Sequence, residues 1–295
     1  MTTQPIPELI RQLEMRAKRL AQTSFKHAYQ SAFKGQGIVF ESLRPYEIGD
    51  DVRNIEWNAS ARSNETYVKQ YIEQREQDVL IVLDRSASGI FGTAGQSKIA
   101  LGVEIGAVIT MMALQNRDKV GLMVFGDEIE LFIRPHDGRN HATRLIRDLL
   151  FVDNQATGTN LEQVLRSINR LLKRRTTIFF LSDFLASRSE YLRELQVVTH
   201  HHDFIPIILR DKREIAWPRV GLVNVQDAET GEKRLIDTSD KQWQKAFSEH
   251  VGRYYAVREQ DLKRSGADPI MIDIDQSYVE AFHQFFARRR GEQRR

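Results

Sequence analysis

The stretch that decides the fold is VLIVLDRSASGIFG, residues 79–92. Its first five residues are aliphatic, which is typical of a strand buried on both faces. The run then ends on an acid, two serines and two glycines, residue types that favour turns. Because ligands of open parallel sheets bind beyond the carboxyl ends of the strands, this pattern predicts a functional site at Asp84, Ser86 and Ser88.

Apolar runs of strand length alternate with helical patterns between residues 78 and 210. The predicted strands are DVLIVLD, KVGLMVF, EIELFIRP, TTIFFLSDF and DFIPIIL. The predicted helices are SKIALGVEIGAVITMMALQN, with Ser97 as its N-cap, RNHATRLIRDLL, NLEQVLRSINRLLKR and SEYLRELQVVTHH. Strands without a polar face indicate a mostly parallel sheet with helices on both faces. We therefore predict an α/β fold, in which the Gly-Asp turn at residues 126–127 adds one antiparallel edge strand.

Both flanks of this region carry further elements. Residues 1–77 begin with a charged amphipathic helix and continue as a segment rich in turns, aromatics and arginine. Residues 211–295 contain a hairpin around GLVNVQDAETGEKRLID, a helix, the strand PIMIDI and a terminal helix. We predict three parts, 1–77, 78–210 and 211–295, the last completing the fold. The β-rich N-terminal segment and the 210–237 hairpin are expected to form a small accessory β unit.

Composition narrows the class of protein. The chain has 43 basic and 40 acidic residues and a net charge of +3, and its basic end, residues 287–295, is typical of a solvated terminus. The absence of cysteine excludes disulfides and thiolate metal sites. Residues 1–20 carry charges every few positions, and the apolar run at residues 99–114 is interrupted by Glu104 and is expected to be too short for a bilayer. We therefore predict a cytoplasmic protein with no nucleic-acid or membrane partner.

Two further polar residues follow predicted elements at the same end of the sheet. Asp183 comes after the strand TTIFFLS, and Thr159 lies in ATGTN just before a helix. With the first loop they supply two carboxylates and three hydroxyls, an all-oxygen set that suits Mg²⁺ above all, with Mn²⁺ or Ca²⁺ as alternatives. Each of these residues taken singly is also typical of a cap or turn. Ser86 is not in a Gly-x-Ser-x-Gly elbow, and the chain has no phosphate-binding loop of the Gly-x-x-x-x-Gly-Lys type.

Taken together, these residues resemble the metal-ion-dependent adhesion site of a von Willebrand factor A-type domain. That site has Asp-x-Ser-x-Ser on a first loop, Thr on a second and Asp on a third. The corresponding residues here are Asp84, Ser86, Ser88, Thr159 and Asp183. The resemblance covers about residues 78–210 and implies a von Willebrand factor A-like, Rossmann-type sheet. One departure is Gly89, where Met is common, and we expect it to alter packing rather than metal binding.

The preceding segment is similar to the signature of family fifty-eight among the bacterial domains of unknown function. The signature residues here are Tyr46, Gly49, Asp50, Asp51, Arg53, Ile55, Trp57, Ser60, Ala61 and Arg62. Two interpretations of this segment stay open, a surface that faces a partner and a structural brace with an Arg–Asp pair and a buried Trp57. We favour the brace.

The resemblance implies a function in binding. Such proteins look like cytoplasmic partners of MoxR-type AAA+ ATPases, acting in a chaperone-like way to mature or remodel other complexes. An Asp or Glu of a client protein would complete the metal site, and because no bond is broken, we expect no enzyme. The alternatives are a metal-dependent phosphoester hydrolase that uses the same carboxylates, and a basic nucleic-acid binder.

Overall fold

The computed structural model describes residues 6–33, 38–63, 65–73, 76–90, 92, 95–151, 158–185, 188–226 and 233–292. The strands of these residues are β1 Ile38–Pro45, β2 Tyr67–Glu73, β3 Asp78–Asp84, β4 Lys119–Phe125, β5 Ile129–His136, β6 Thr177–Ser182, β7 Asp203–Arg210, β8 Leu222–Gln226, β9 Lys233–Asp237 and β10 Ile270–Asp273. The α-helices are α1 Ile6–Leu20, α2 Lys26–Ala32, α3 Trp57–Ser63, α4 Lys98–Asn116, α5 Arg139–Phe151, α6 Leu161–Leu171, α7 Arg188–His201, α8 Lys212–Ile215, α9 Lys241–Arg264 and α10 Tyr278–Glu292.

A central sheet holds six of the strands in the order β10-β7-β6-β3-β4-β5. Neighbouring strands run parallel except at one edge, where β5 pairs antiparallel with β4 as predicted. The chain leaves β3 toward β4 on one side and later returns to β6 on the other side, so the strand order reverses at β3. Ligand sites of such sheets lie at this reversal, beyond the carboxyl ends of the strands.

Side-chain alternation along β3 explains why helices cover both faces. Val79, Ile81 and Leu83 lie in one hydrophobic cluster, whereas Leu80 and Val82 lie in the other. Successive side chains of a strand point to opposite faces, so a strand with no polar face must be covered twice. The first cluster includes residues of α1, α2, α4, α5 and α10, and the second includes residues of α6, α7 and α9. The predicted α/β fold, a mostly parallel sheet with helices on both faces, is confirmed.

Helix α4 is apolar nearly all round because it is buried between the sheet and the helices α1 and α5. Its predicted N-cap is confirmed, since Ser97 Oγ accepts a hydrogen bond from the backbone N–H of Ala100 at 3.1 Å. The cap fixes where the helix begins. The first helical residue, Lys98, therefore points its side chain toward the carboxyl ends of β3 and β6, where it meets Asp183.

The two ends of the chain share one core. The ring of Phe25 lies 5.6 Å from that of Phe282, and the ring of Tyr29 lies 6.1 Å from that of Phe286. These aromatic side chains are almost completely buried, so the N-terminal helices and α10 pack on the same face of the sheet. Strand β10 pairs in parallel with β7 and completes the sheet from the C-terminal side.

The remaining strands form two separate hairpins. Strands β1 and β2 pair with each other, and β8 and β9 pair with each other, both antiparallel. Within the part of the chain that is described, the accessory β structure expected from these segments consists of two separate two-stranded sheets. The turn DAETGE of the second hairpin, residues 227–232, lies outside the described residues.

Candidate functional site

The rim of the sheet brings the ends of β3 and β6 side by side. Leu83 and Leu181 are register partners, so Asp84 and Ser182 follow at the same level. Ser182 Oγ donates a hydrogen bond to Asp84 Oδ2 at 2.6 Å, which joins two residues 98 positions apart in the chain. Parallel pairing thus turns two distant strand ends into one polar surface.

The loop after β3 curls around the Asp84 carboxylate. The backbone N–H of Ser86 donates to Asp84 Oδ1 at 2.9 Å, and the hydroxyls of Ser86 and Ser88 lie 3.0 Å apart. The Asp-x-Ser-x-Ser spacing therefore gathers these three side chains, as predicted. A Cβ atom on Gly89 would lie 2.7 Å from Cγ1 of Ile99, so Ile99 fills the space of the missing side chain.

Thr159 is held at the same rim through β4. The backbone N–H of Asn160 donates to the carbonyl of Gly126 at 3.2 Å. Gly126 directly follows Phe125, which is the register partner of Asp84. The side chain of Thr159 is half-buried. Residues 152–157, which lead into this loop, lie outside the described residues.

Asp183 is held through both of its carboxylate oxygens. Its Oδ1 accepts a hydrogen bond from the backbone N–H of Leu185 at 3.2 Å, and its Oδ2 accepts one from Lys98 Nζ at 2.7 Å. The next residue, Phe184, has a φ of 53°, a left-handed conformation that is uncommon outside glycine. Its ring is fully buried, and this burial stabilises the turn that positions Asp183.

Two charged residues of the site were missed by sequence reasoning. Lys98 is 2% exposed, and its Nζ contacts Glu214 Oε1 at 2.6 Å as well as Asp183. Glu214 lies in α8, where its other oxygen accepts from the backbone N–H of Asp211 in a capping box. The available signal was a lysine opening an otherwise apolar helix, because a buried lysine requires a paired acid.

The electrostatics of the site reflect an excess of acid. Burial, and after it the nearby charge of Asp183, raises the pKa of the Asp84 carboxyl from 3.8 to about 7. Burial also raises the pKa of Glu214, more than Lys98 lowers it. Burial acts to lower the pKa of Lys98, but the charges of Asp183 and Glu214 outweigh it, so this pKa is raised. Asp183 and Glu214 thus share one ammonium, and Asp84 lies within reach of the charge of Asp183, so an added cation would relieve the repulsion between the carboxylates.

The donor set fits a hard divalent cation. Its five members present oxygen atoms only, and the raised pKa of Asp84 marks a carboxylate whose charge is poorly compensated. Among the described residues, no group of three or more His, Cys, Asp or Glu side chains could hold a metal ion. The candidate site has two carboxylates and three hydroxyls, so the absence of such a group among these residues does not bear on this kind of site.

The family model described as "Protein of unknown function DUF58" matches residues 42–256. The chain belongs to the DUF58 family. The matched range contains the signature at residues 46–62 and all five candidate metal ligands. The family resemblance predicted from these signature residues is therefore confirmed.

Relatives of this DUF58 chain include an uncharacterized protein of Mycobacterium tuberculosis strain H37Rv. It is 28% identical over 289 residues, which cover 96% of this chain and 89% of the relative. Among solved structures, an aerotolerance-related membrane protein from Bacteroides fragilis is 14% identical with a TM-score of 0.47, covering 72% of this chain and 99% of its own. BatB from Bacteroides thetaiotaomicron is 13% identical with a TM-score of 0.45, covering 72% and 98%.

The cytoplasmic location predicted from the sequence is contradicted by these comparisons. The structure from Bacteroides fragilis is described as that of a membrane protein. The prediction rested on the charges of residues 1–20 and on the short apolar run of residues 99–114. Neither feature determines where a folded domain lies relative to a membrane, so the prediction had no positive physical basis.

The apolar run expected to be too short for a bilayer is part of α4, which is 19 residues long. By length and composition, α4 is the one helix among the described residues that could cross a membrane. In the fold, 78% of its most apolar window is buried inside the protein. The expectation about length is therefore wrong, and a core helix buried to this extent is weak evidence for a membrane span.

The favoured interpretation of the DUF58 signature is also wrong in one respect. The expected Arg–Asp pair is present, since Arg53 Nη2 lies 2.9 Å from Asp51 Oδ2. Trp57, however, is 68% exposed, and Ile48 and Val52 in the same segment are exposed as well. A brace would bury its largest apolar side chain. These three exposed residues are here called the signature surface.

Proposed function

We propose that the protein is a metal-ion-dependent protein-binding adaptor that works with a MoxR-type AAA+ ATPase in the maturation or remodelling of other protein complexes. The main support for this proposal is that the loops of Asp84 and Asp183 lie together at one rim of the sheet. Ser182, which directly precedes Asp183, donates a hydrogen bond to Asp84 there. Asp84, Ser86, Ser88, Thr159 and Asp183 would hold the ion. A bound Mg²⁺, or Mn²⁺ or Ca²⁺ in its place, supplies an open coordination position for a carboxylate of a client protein.

The protein's own residues prepare this site by orientation. Ser182 and the backbone N–H of Ser86 each hold one oxygen of Asp84, so the carboxylate has little freedom to rotate. The backbone N–H of Leu185 holds one oxygen of Asp183 in the same way. Because the other three ligands are neutral hydroxyls, the set leaves a divalent charge incompletely neutralised, which favours an incoming Asp or Glu.

The hydrolase alternative has no comparable support. The ligand set contains two carboxylates, Asp84 and Asp183, and two-metal hydrolysis generally uses more. The basic group at the rim, Lys98, is engaged in two ion pairs. Turnover of a phosphoester by the pure protein, lost in Asp84→Ala, would reverse this preference.

Binding to the MoxR-type ATPase of the same organism is expected to need a divalent cation and Thr159. Thr159→Ala removes one hydroxyl ligand and should weaken the Mg²⁺-dependent affinity by about tenfold, a loss of about 1.4 kcal/mol. Affinity would be measured by surface binding of the purified proteins, with Mg²⁺ and with a chelator. Thr143→Ala, at a half-buried threonine on α5, is the matched control and should bind as the wild type does. Equal affinity with Mg²⁺ and with chelator would contradict the proposal.

The signature surface is expected to contribute to the same complex. Exposed tryptophans dominate many protein interfaces, so Trp57→Ala should weaken ATPase binding by about tenfold or more. The melting temperature of Trp57→Ala should differ little from that of the wild type, because the Trp57 side chain is mostly exposed. Val257→Ala, at another exposed apolar residue on α9, serves as the control. A large drop in melting temperature with unchanged affinity would restore the brace interpretation.

A further inference from the structure

Lys98 lies between the candidate metal site and α8. Its ammonium contacts Asp183 Oδ2 at 2.7 Å and Glu214 Oε1 at 2.6 Å, and its side chain is 2% exposed. A buried ammonium of this kind is tightly held, because these acidic partners offset its desolvation. One oxygen of Asp183, a candidate metal ligand, therefore already has a cation against it.

The three charges form a chain that ends in a helix cap. One oxygen of Glu214 accepts from Lys98, and the other accepts from the backbone N–H of Asp211, the N-cap of α8. Glu214 therefore shares the ammonium with Asp183. The strength of the contact between Lys98 and Asp183 depends on how much of the ammonium's charge Glu214 balances.

We infer that Lys98 is a positioning residue that competes with the divalent ion for Asp183, and that Glu214 sets the ion affinity by drawing Lys98 away from Asp183. This inference rests on the metal site proposed above. Loss of the charge on Lys98 and loss of the charge on Glu214 are therefore expected to change the ion affinity in opposite directions. A purely structural role of Lys98 predicts instead that its loss misplaces Asp183 and weakens ion binding.

Calorimetric titration of the full chain with MgCl₂ and with MnCl₂, at a fixed pH of about 8, tests the inference. Lys98→Met removes the competing charge with little change in shape, and we expect about tenfold tighter ion binding. Glu214→Gln keeps a side chain that suits the capping box but leaves the ammonium on Asp183 alone, and we expect about tenfold weaker binding. Lys119→Met breaks a surface ion pair with Glu76 at the opposite end of the sheet and should leave the affinity unchanged.

The outcomes separate the two proposals. If the wild type binds neither ion, the metal site and the inference both fail. If the wild type binds and Lys98→Met binds equally or more weakly, the inference fails and the metal site stands. Removing one partner of a buried ion pair can prevent folding, so each variant is checked by circular dichroism. If Lys98→Met is unfolded, the ion affinity of Glu214→Gln tests the inference by itself. An ion affinity equal to that of the wild type would then overturn the inference.

Discussion

Asp84→Asn is expected to abolish the rise in melting temperature that Mg²⁺ gives the wild type, while leaving the metal-free protein at least as stable. An ion that binds only the folded state stabilises it by about 2.7 kcal/mol at one hundred times its dissociation constant. Asparagine keeps the shape of Asp84 and an oxygen that can accept from Ser182 or Ser86, but it lacks the charge that holds the ion. Thermal unfolding with Mg²⁺ and with chelator measures both effects.

Without metal, the difference in stability between Asp84→Asn and the wild type is also expected to depend on pH. The pKa of Asp84 is raised from 3.8 to about 7 by burial and by Asp183, so the folded state binds the proton more tightly than the unfolded state. The stability that protonated Asp84 contributes is fully present below about pH 4 and is lost as the pH rises toward about 7, at about 1.4 kcal/mol per unit. The advantage of Asp84→Asn in chelator should therefore be larger at about pH 8 than at about pH 5.

Asp137→Asn is the control for this experiment, since Asp137 is an exposed aspartate before α5. Asp137→Asn should keep the rise in melting temperature that Mg²⁺ gives the wild type. In chelator it should not become more stable than the wild type in the way expected for Asp84→Asn. A normal rise in Asp84→Asn would mean that Asp84 is not a ligand. A loss of several degrees by the metal-free variant would mean that the carboxylate charge itself stabilises the fold.

Gly121→Ala is expected to destabilise the protein severely, by about 2–4 kcal/mol, or to prevent folding. A Cβ atom at this position in β4 would lie 2.6 Å from the carbonyl oxygen of Ile133 and 2.7 Å from the nitrogen of Pro135. Both atoms belong to the backbone of β5, so the clash can be relieved only by moving a strand. Because β4 leads to Gly126, which holds the loop of Thr159, the damage should extend to the candidate site.

Gly252→Ala provides the matched control in helix α9. A Cβ atom there has nothing within 4 Å, and alanine favours a helix over glycine by about 1 kcal/mol. Urea unfolding should therefore show a small gain for Gly252→Ala and a large loss for Gly121→Ala. Similar changes in both variants would show that the close approach of β4 and β5 tolerates a side chain.

Local patterns in the chain were sufficient to predict the elements and the loops of the site. The unbroken apolar run of β3 indicated burial on both faces, Ser97 marked the start of α4, and polar residues after β3 and β6 marked the rim. These features depend on the order of neighbouring residues, which determines side-chain direction and hydrogen-bond capping. The likeness of the signature residues to a family was readable for the same reason, because a motif is a local pattern.

Tertiary structure alone decided which distant charges meet and which apolar residues stay exposed. Lys98 and Glu214 lie 116 residues apart, and only the pairing of β3 with β6, and of β6 with β7, brings their elements together. Trp57 looked like a core residue by type, but the core lies between the sheet and its helices, and the signature segment is outside it. Periodicity along a chain records the environment of one element, whereas an ion pair across the sheet depends on strand order, which local sequence does not encode.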